Sequence, residues 1–121
     1  MKTGVAGGCM AAVPTASKNA YMEFVRKADK VFREHGALAP AECWGADVPD
    51  GELTSFPMAV KCRPDETVVF SWVVWPSREV RDAAMETIWK DERWAEMGDM
   101  PFDGKRMIWG GFEVIHDSSD C

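Results

Sequence analysis

Few residues in this chain are placed to do chemistry. Glu42 is the strongest candidate for a base. It stands between Ala41 and Cys43 and beside Trp44, where burial would raise its pKa. A structural ion pair with Arg106 or Lys105 of the last strand is the competing role, because such pairs also perturb carboxylates. Cys9 is a candidate nucleophile, but no histidine stands near it in sequence to activate it. A small buried thiol that packs as a hydrophobe is its plainer role. Trp44, Trp72, Trp75 and Trp109 would make an aromatic box for a planar ligand. Six tryptophans in 121 residues is a high number. Core packing explains some of them, yet an indole favours a place where its N–H finds a partner. Asp103-Gly104-Lys105-Arg106 would hold an anion or, more simply, form a turn with solvated charges. His35 fits a helix end better than an acid–base role.

Metal and redox chemistry find little support. Four cysteines stand at 9, 43, 62 and 121 with no CxxC, and His35 and His116 are the only histidines. A zinc site and a disulfide framework are both unexpected. Reduced thiols in the cytoplasm are expected, with no cofactor and no metal. Cys121 ends a polar tail over 117–121 and is expected to be exposed. The net charge of −6 argues against a nucleic-acid binder, which needs a basic surface. No run approaches the ~20 apolar residues of a membrane span. Residues 1–13 carry Lys2 and then small and apolar residues, but the run is too short and glycine-rich for a signal peptide, so a strand is expected there.

The chain is long enough for one domain with one modest core. Its organising stretch is 67–75, Thr-Val-Val-Phe-Ser-Trp-Val-Val-Trp. Val68, Phe70, Trp72 and Val74 share one side; Val69, Val73 and Trp75 share the other with Ser71. A strand apolar on both sides must be covered on both.

Around it, residues 5–13 read as a weak strand containing Gly7 and Gly8. Residues 18–35 read as a helix with Tyr21, Phe24, Val25, Ala28, Val31 and Phe32 on one stripe and Gly36 just past its end. Residues 37–44 read as a strand that Pro40 confines to an edge or a bulge. Residues 54–62 read as a short helical turn, with a strand as the alternative. Ser77 caps a second helix with a stripe of Val80, Ala83, Ala84, Thr87 and Ile88. Residues 91–94 would start a further turn, and 105–115 form the last strand. A βαββαβ order gives a ferredoxin-like α+β fold with four antiparallel strands and both helices on one face. Two such sheets face to face would form a dimeric α/β barrel, a homodimer. A mainly apolar pocket would lie between sheet and helices or between the two sheets.

Three stretches carry a family resemblance: Glu42-Cys43-Trp44-Gly45-Ala46-Asp47-Val48-Pro49-Asp50-Gly51; Val69-Phe70-Ser71-Trp72 with Pro76-Ser77-Arg78-Glu79-Val80-Arg81-Asp82-Ala83; and residues 100–113, from Met100-Pro101-Phe102 to Gly111-Phe112-Glu113. Together they resemble the bacterial YbaA-like family, domain of unknown function family 1428, from about Val13 to Val114. The resemblance implies the dimeric α/β-barrel superfamily, which includes small monooxygenases, heme-handling enzymes and isomerases. It implies no catalytic residues, because the family has no established activity.

The departures from the family are informative. Where its first strand usually has an aspartate and a phenylalanine, this chain has Gly7 and Cys9. Where its second strand usually has Leu-Arg-Val-Val-Glu-Cys-Trp, this chain has Leu38-Ala39-Pro40-Ala41-Glu42-Cys43-Trp44. The shortened positions have period two, so each set shares a face. The expectation is that Gly7, Cys9, Ala11, Ala39 and Ala41 line an enlarged pocket, opened by on the order of 100–200 Å³. Such concentrated shortening reads as selection, natural or in the laboratory. The sharpest functional form is a cofactor-free enzyme on a small aromatic substrate, with Glu42 moving a proton and Trp44 and Trp72 holding the ring. A non-catalytic binding or sensing module, or a structural homodimer with no ligand, are the alternatives.

Overall fold

A computed structural model describes residues 4–118. Lys2 and Cys121, which figure in the reading of the two termini, lie outside the described residues. The elements run β1 (Val5–Pro14), α1 (Lys18–Glu34), β2 (Leu38–Trp44), α2 (Phe56–Ala59), β3 (Glu66–Trp75), α3 (Arg78–Thr87), α4 (Arg93–Glu96) and β4 (Ile108–Glu113). The four strands form one antiparallel sheet in the order β2-β3-β1-β4. This α+β arrangement is compatible with a ferredoxin-like fold.

Local chemistry sets the element ends. The Ser77 hydroxyl accepts from the Val80 amide at 3.2 Å and starts α3; Ser55 accepts from Met58 at 3.1 Å and starts α2. Of the two alternatives for 54–62, the helical one is therefore the structure. Gly36 ends α1 with a φ of +106°, in the left-handed region that suits glycine. β2 is an edge strand, as Pro40 demands, and its ladder to β3 is irregular between Leu38 and Ala41.

The two faces of the sheet differ. On the helix side, Ala11, Val13 and Val69 pack with Tyr21, while Trp75 packs with Ala37 and Ala84. On the other side, Val60, just after α2, covers Ala12 and Val68. Beyond that end the second face is open. Phe70, Trp72, Leu38, Ile108 and Phe112 are all exposed there. The alternation read along β3 is thus observed, but within one chain its second face is covered only at the Val68 end and by the edge contact of Phe56 with Phe70.

The last strand is shorter than 105–115. Arg106 is instead engaged in a clasp. Its Nη1 and Nη2 donate to the two Glu66 carboxylate oxygens, each at 2.7 Å, and Nη1 also reaches the Lys61 carbonyl at 2.9 Å. Asp103 accepts from Arg106 Nε at 3.1 Å and from the Lys105 amide at 3.0 Å. The Asp103–Arg106 turn is therefore tied to the start of β3. Arg106 hydrogen bonds hold the Glu66 carboxyl down to about 2. The folded pKa is below the unfolded one, so this contribution to stability is complete above the ordinary carboxyl value of 4.5 and fades as pH falls towards about 2. Arg106→Met should flatten that acid limb. Urea midpoints measured from pH 5 to 2 would check it; an unchanged slope would overturn it.

Candidate functional site

A hollow of about 570 Å³ lies between the helix side of the sheet and the helices. Strand register builds its floor. Glu42 on β2 pairs with Ser71 on β3, Ser71 with Cys9 on β1, and Cys9 with Trp109 on β4. Carboxylate, hydroxyl, thiol and indole thus stand in one row across the sheet. The wall is aromatic. Ring contacts run unbroken from Tyr21 through Phe102, Phe24, Trp94 and Phe32 to Trp75, with centroids 5.9–6.4 Å apart. Trp94 is fixed by its indole N–H, which donates to the Ile88 carbonyl at 2.6 Å.

Glu42 does not pair with Arg106 or Lys105. Arg106 is taken by Glu66 and Asp103, and the partner of Glu42 is Tyr21, whose hydroxyl donates to Oε1 at 2.6 Å. Burial pushes the Glu42 carboxyl above its ordinary range; the Tyr21 hydrogen bond pulls the other way, and the nearby charge of Asp29 adds to the rise. Burial also raises the Tyr21 phenol, and its bond to Glu42 raises it further. Tyr21 therefore holds its proton and stays a donor. Burial raises the Cys9 thiol as well, with the Ser71 hydroxyl opposing and Glu42 adding. A raised thiol is a weak nucleophile at neutral pH.

The other candidate positions divide by strand parity. Gly7, Cys9, Glu42 and Trp109 line the hollow. Ala11 is buried just beyond, beside Val69 and Tyr21. Trp44 packs against Tyr21 with centroids 6.2 Å apart, and the Lys18 ammonium lies over its ring. Trp72 borders the hollow, but its indole meets Phe70 on the open face. Ala41 faces the same way as Trp72, its register partner, and so opposite to Glu42. Ala39 is exposed, in the irregular stretch of β2 with a φ of +45°.

Tyr21, Phe32, Trp89 and Trp94 complete the site and were not singled out in the sequence as site residues. Tyr21 and Phe32 were legible only as part of a helix stripe. Trp89, just past α3, and Trp94 of α4, five residues apart, are the available signal. His35 closes α1 and meets Asp91 at 3.3 Å, while Arg93 bridges Asp91 and Glu34. Among the described residues, no group of three or more His, Cys, Asp or Glu side chains could hold a metal ion, and no helix is long and apolar enough to cross a membrane.

Fold and site together define an α+β domain with an aromatic-walled hollow between its sheet and its helices. The chain belongs to the family described as "Protein of unknown function (DUF1428)", whose model matches residues 6–104. It is 56% identical over 111 residues to "Uncharacterized protein YbaA" of Escherichia coli strain K12, across 91% of this chain and 95% of that one. The protein of the same name from Shigella flexneri matches to the same extent.

Proposed function

We propose that the hollow binds a small aromatic molecule and that Glu42 exchanges a proton with it, without a cofactor. The observation that carries this reading is the Tyr21–Glu42 pair on the border of an aromatic-walled space, with Tyr21 buried and Glu42 open to solvent. Tyr21 occupies Oε1, and among the described residues no other side-chain hydrogen bond reaches this carboxylate. Oε2 is therefore placed to take a proton from an acidic C–H or O–H of a bound molecule. The electron pair stays on the molecule as an enolate, and return of the proton to another atom completes a tautomerisation. A carboxylate with a raised pKa is a stronger base for that step.

The probe is 2-tetralone, a neutral bicyclic ketone with acidic α-protons. Wild-type protein should bind it and speed deuterium exchange at those positions, followed by NMR. Glu42→Gln should keep the binding and lose about 10²–10⁴-fold in exchange. Cys9→Phe, which places a ring on the hollow floor, should abolish both. Unchanged binding in Cys9→Phe would rule out the hollow. Unchanged exchange in Glu42→Gln would rule out the base. Binding with no exchange in any form would favour a non-catalytic binding or sensing module, a reading the firmly held Tyr21 proton also supports.

The open sheet face supports a homodimer. Four strands present an apolar face roughly 20 Å on a side, about half of the ~800 Å² that each partner gives to a standard stable interface, so the elements flanking the sheet would contribute the rest. A second copy would cover Phe70, Trp72 and Phe112. The free thiols of Cys9, Cys43 and Cys62 fit a reducing, cytoplasmic setting.

A further inference from the structure

The end of the hollow opposite Glu42 has a cation. Arg81 of α3 lines it, and its guanidinium lies on the inner side of β4. A Cβ built on Gly111 would sit 3.1 Å from Arg81 Nη2 and 3.6 Å from Nε. A side chain there would press on the guanidinium, which would have to give by a few tenths of an ångström. Gly7 stands opposite Gly111 in the β1–β4 register, but there Val73 closes over the strand, 3.2 Å from where a Cβ would sit, so Arg81 lies over Gly111 alone.

The charge of Arg81 is only partly compensated. Asp82 meets Nη1 at 3.1 Å, from a side chain that is 51% exposed, and also pairs with Arg78 at 3.6 Å. The Arg81 side chain is only 26% exposed. A smaller outer hollow of about 410 Å³ adjoins it, lined by Arg78 and Arg81 against Glu79 and Glu113, so its charges cancel. The inner hollow differs: its charged residues are Arg26, Arg33 and Arg81 against Asp29 and Glu42, a balance of +1 in a chain whose total is −6.

We propose that the natural ligand class is a hydroxyaryl carboxylic acid, its carboxylate held by the Arg81 guanidinium at the Gly111 end of the hollow and its hydroxyl directed at Glu42. This rests on the hollow being a binding site and adds which ligands it selects. A planar fork of N–H donors matches the two oxygens of a carboxylate. Glu42 at the far end repels a second anion and accepts from a donor, so the two ends set one orientation. Three strand spacings and two residue rises separate Glu42 from Gly111, roughly 16 Å between Cα atoms. After both side chains reach inward, roughly 10 Å remains, the length of a substituted bicyclic ring.

The test compares 6-hydroxy-2-naphthoate with 2-naphthol by calorimetry. Wild-type protein should bind the acid about ten- to a hundredfold more tightly, the worth of one charged hydrogen-bonded contact. Arg81→Gln should remove that advantage, and Arg81→Lys should restore part of it. Circular dichroism would confirm that each variant is folded. Equal binding of the acid by wild type and folded Arg81→Gln would overturn the proposal. So would weaker binding of the acid than of 2-naphthol by wild type. In either case, a Cys9→Phe-sensitive affinity for 2-tetralone would leave the hollow standing as a site for neutral molecules. If neither naphthalene nor 2-tetralone binds, the ligand class and the hollow fail together.

Discussion

Trp75→Ala is expected to cost about 3–5 kcal/mol of folding stability. Trp75 is 1% exposed and is the largest of the fully buried side chains. It closes β3, packs with Ala37 and Ala84, and meets the Phe32 ring at 6.4 Å. One side chain thus joins the sheet to α1 and α3. Its removal leaves a void that the rigid sheet cannot collapse to fill, so a cavity penalty adds to the lost transfer energy. Against a total stability of about 5–15 kcal/mol for a domain, such a loss is large. Urea unfolding would show a lower midpoint with a similar slope. A loss below about 1 kcal/mol would mean the core is not built around this residue.

The second large effect concerns assembly. Wild-type protein should sediment at twice the 13.5 kDa chain mass, and Phe70→Asp with Trp72→Asp should return it to the monomer. Both side chains lie on the open face, 38% and 42% exposed, and because Phe70 also meets the Phe56 ring of α2 at 6.0 Å, circular dichroism would confirm that the variant is folded. In a two-fold dimer each change acts twice, and about 4 kcal/mol from buried aromatic anchors is roughly a thousandfold in dissociation constant. Analytical ultracentrifugation at micromolar concentration would read it. A variant that dimerises like the wild type would remove this face as the interface.

The backbone plan was legible in the sequence because it rests on local rules. Alternation along residues 67–75 gave the two sides of β3, Pro40 marked an edge, and Ser77 marked a helix start. The choice between Trp72 and Trp75 for the inner wall needed the position of the helices, which alternation does not contain. Trp75 faces the helices, and Trp72 faces away. The partner of Glu42 was not legible either. Arg106 was a reasonable choice by charge, but Glu66 lies nearer to it and takes both ends of its fork. Tyr21 reads as one residue of an apolar stripe, and nothing in helical periodicity reveals that its hydroxyl reaches a carboxylate on an edge strand. Adjacent residues such as Ala41 and Glu42 cannot share a face of a regular strand, so the period-two rule already separated them.

The kink at Ala39 and Pro40 bears on what the protein avoids becoming. An exposed sheet edge is a template for another strand, and strand-on-strand addition does not close; repeated, it makes a fibre. At β2 the left-handed turn of Ala39 breaks the regular spacing, and Pro40 has no N–H to offer. A chain with an apolar face and a blunted edge can satisfy the face by a closed pairing while denying growth along the edge. The backbone strain held at Ala39, about 1–2 kcal/mol, then serves solubility rather than stability.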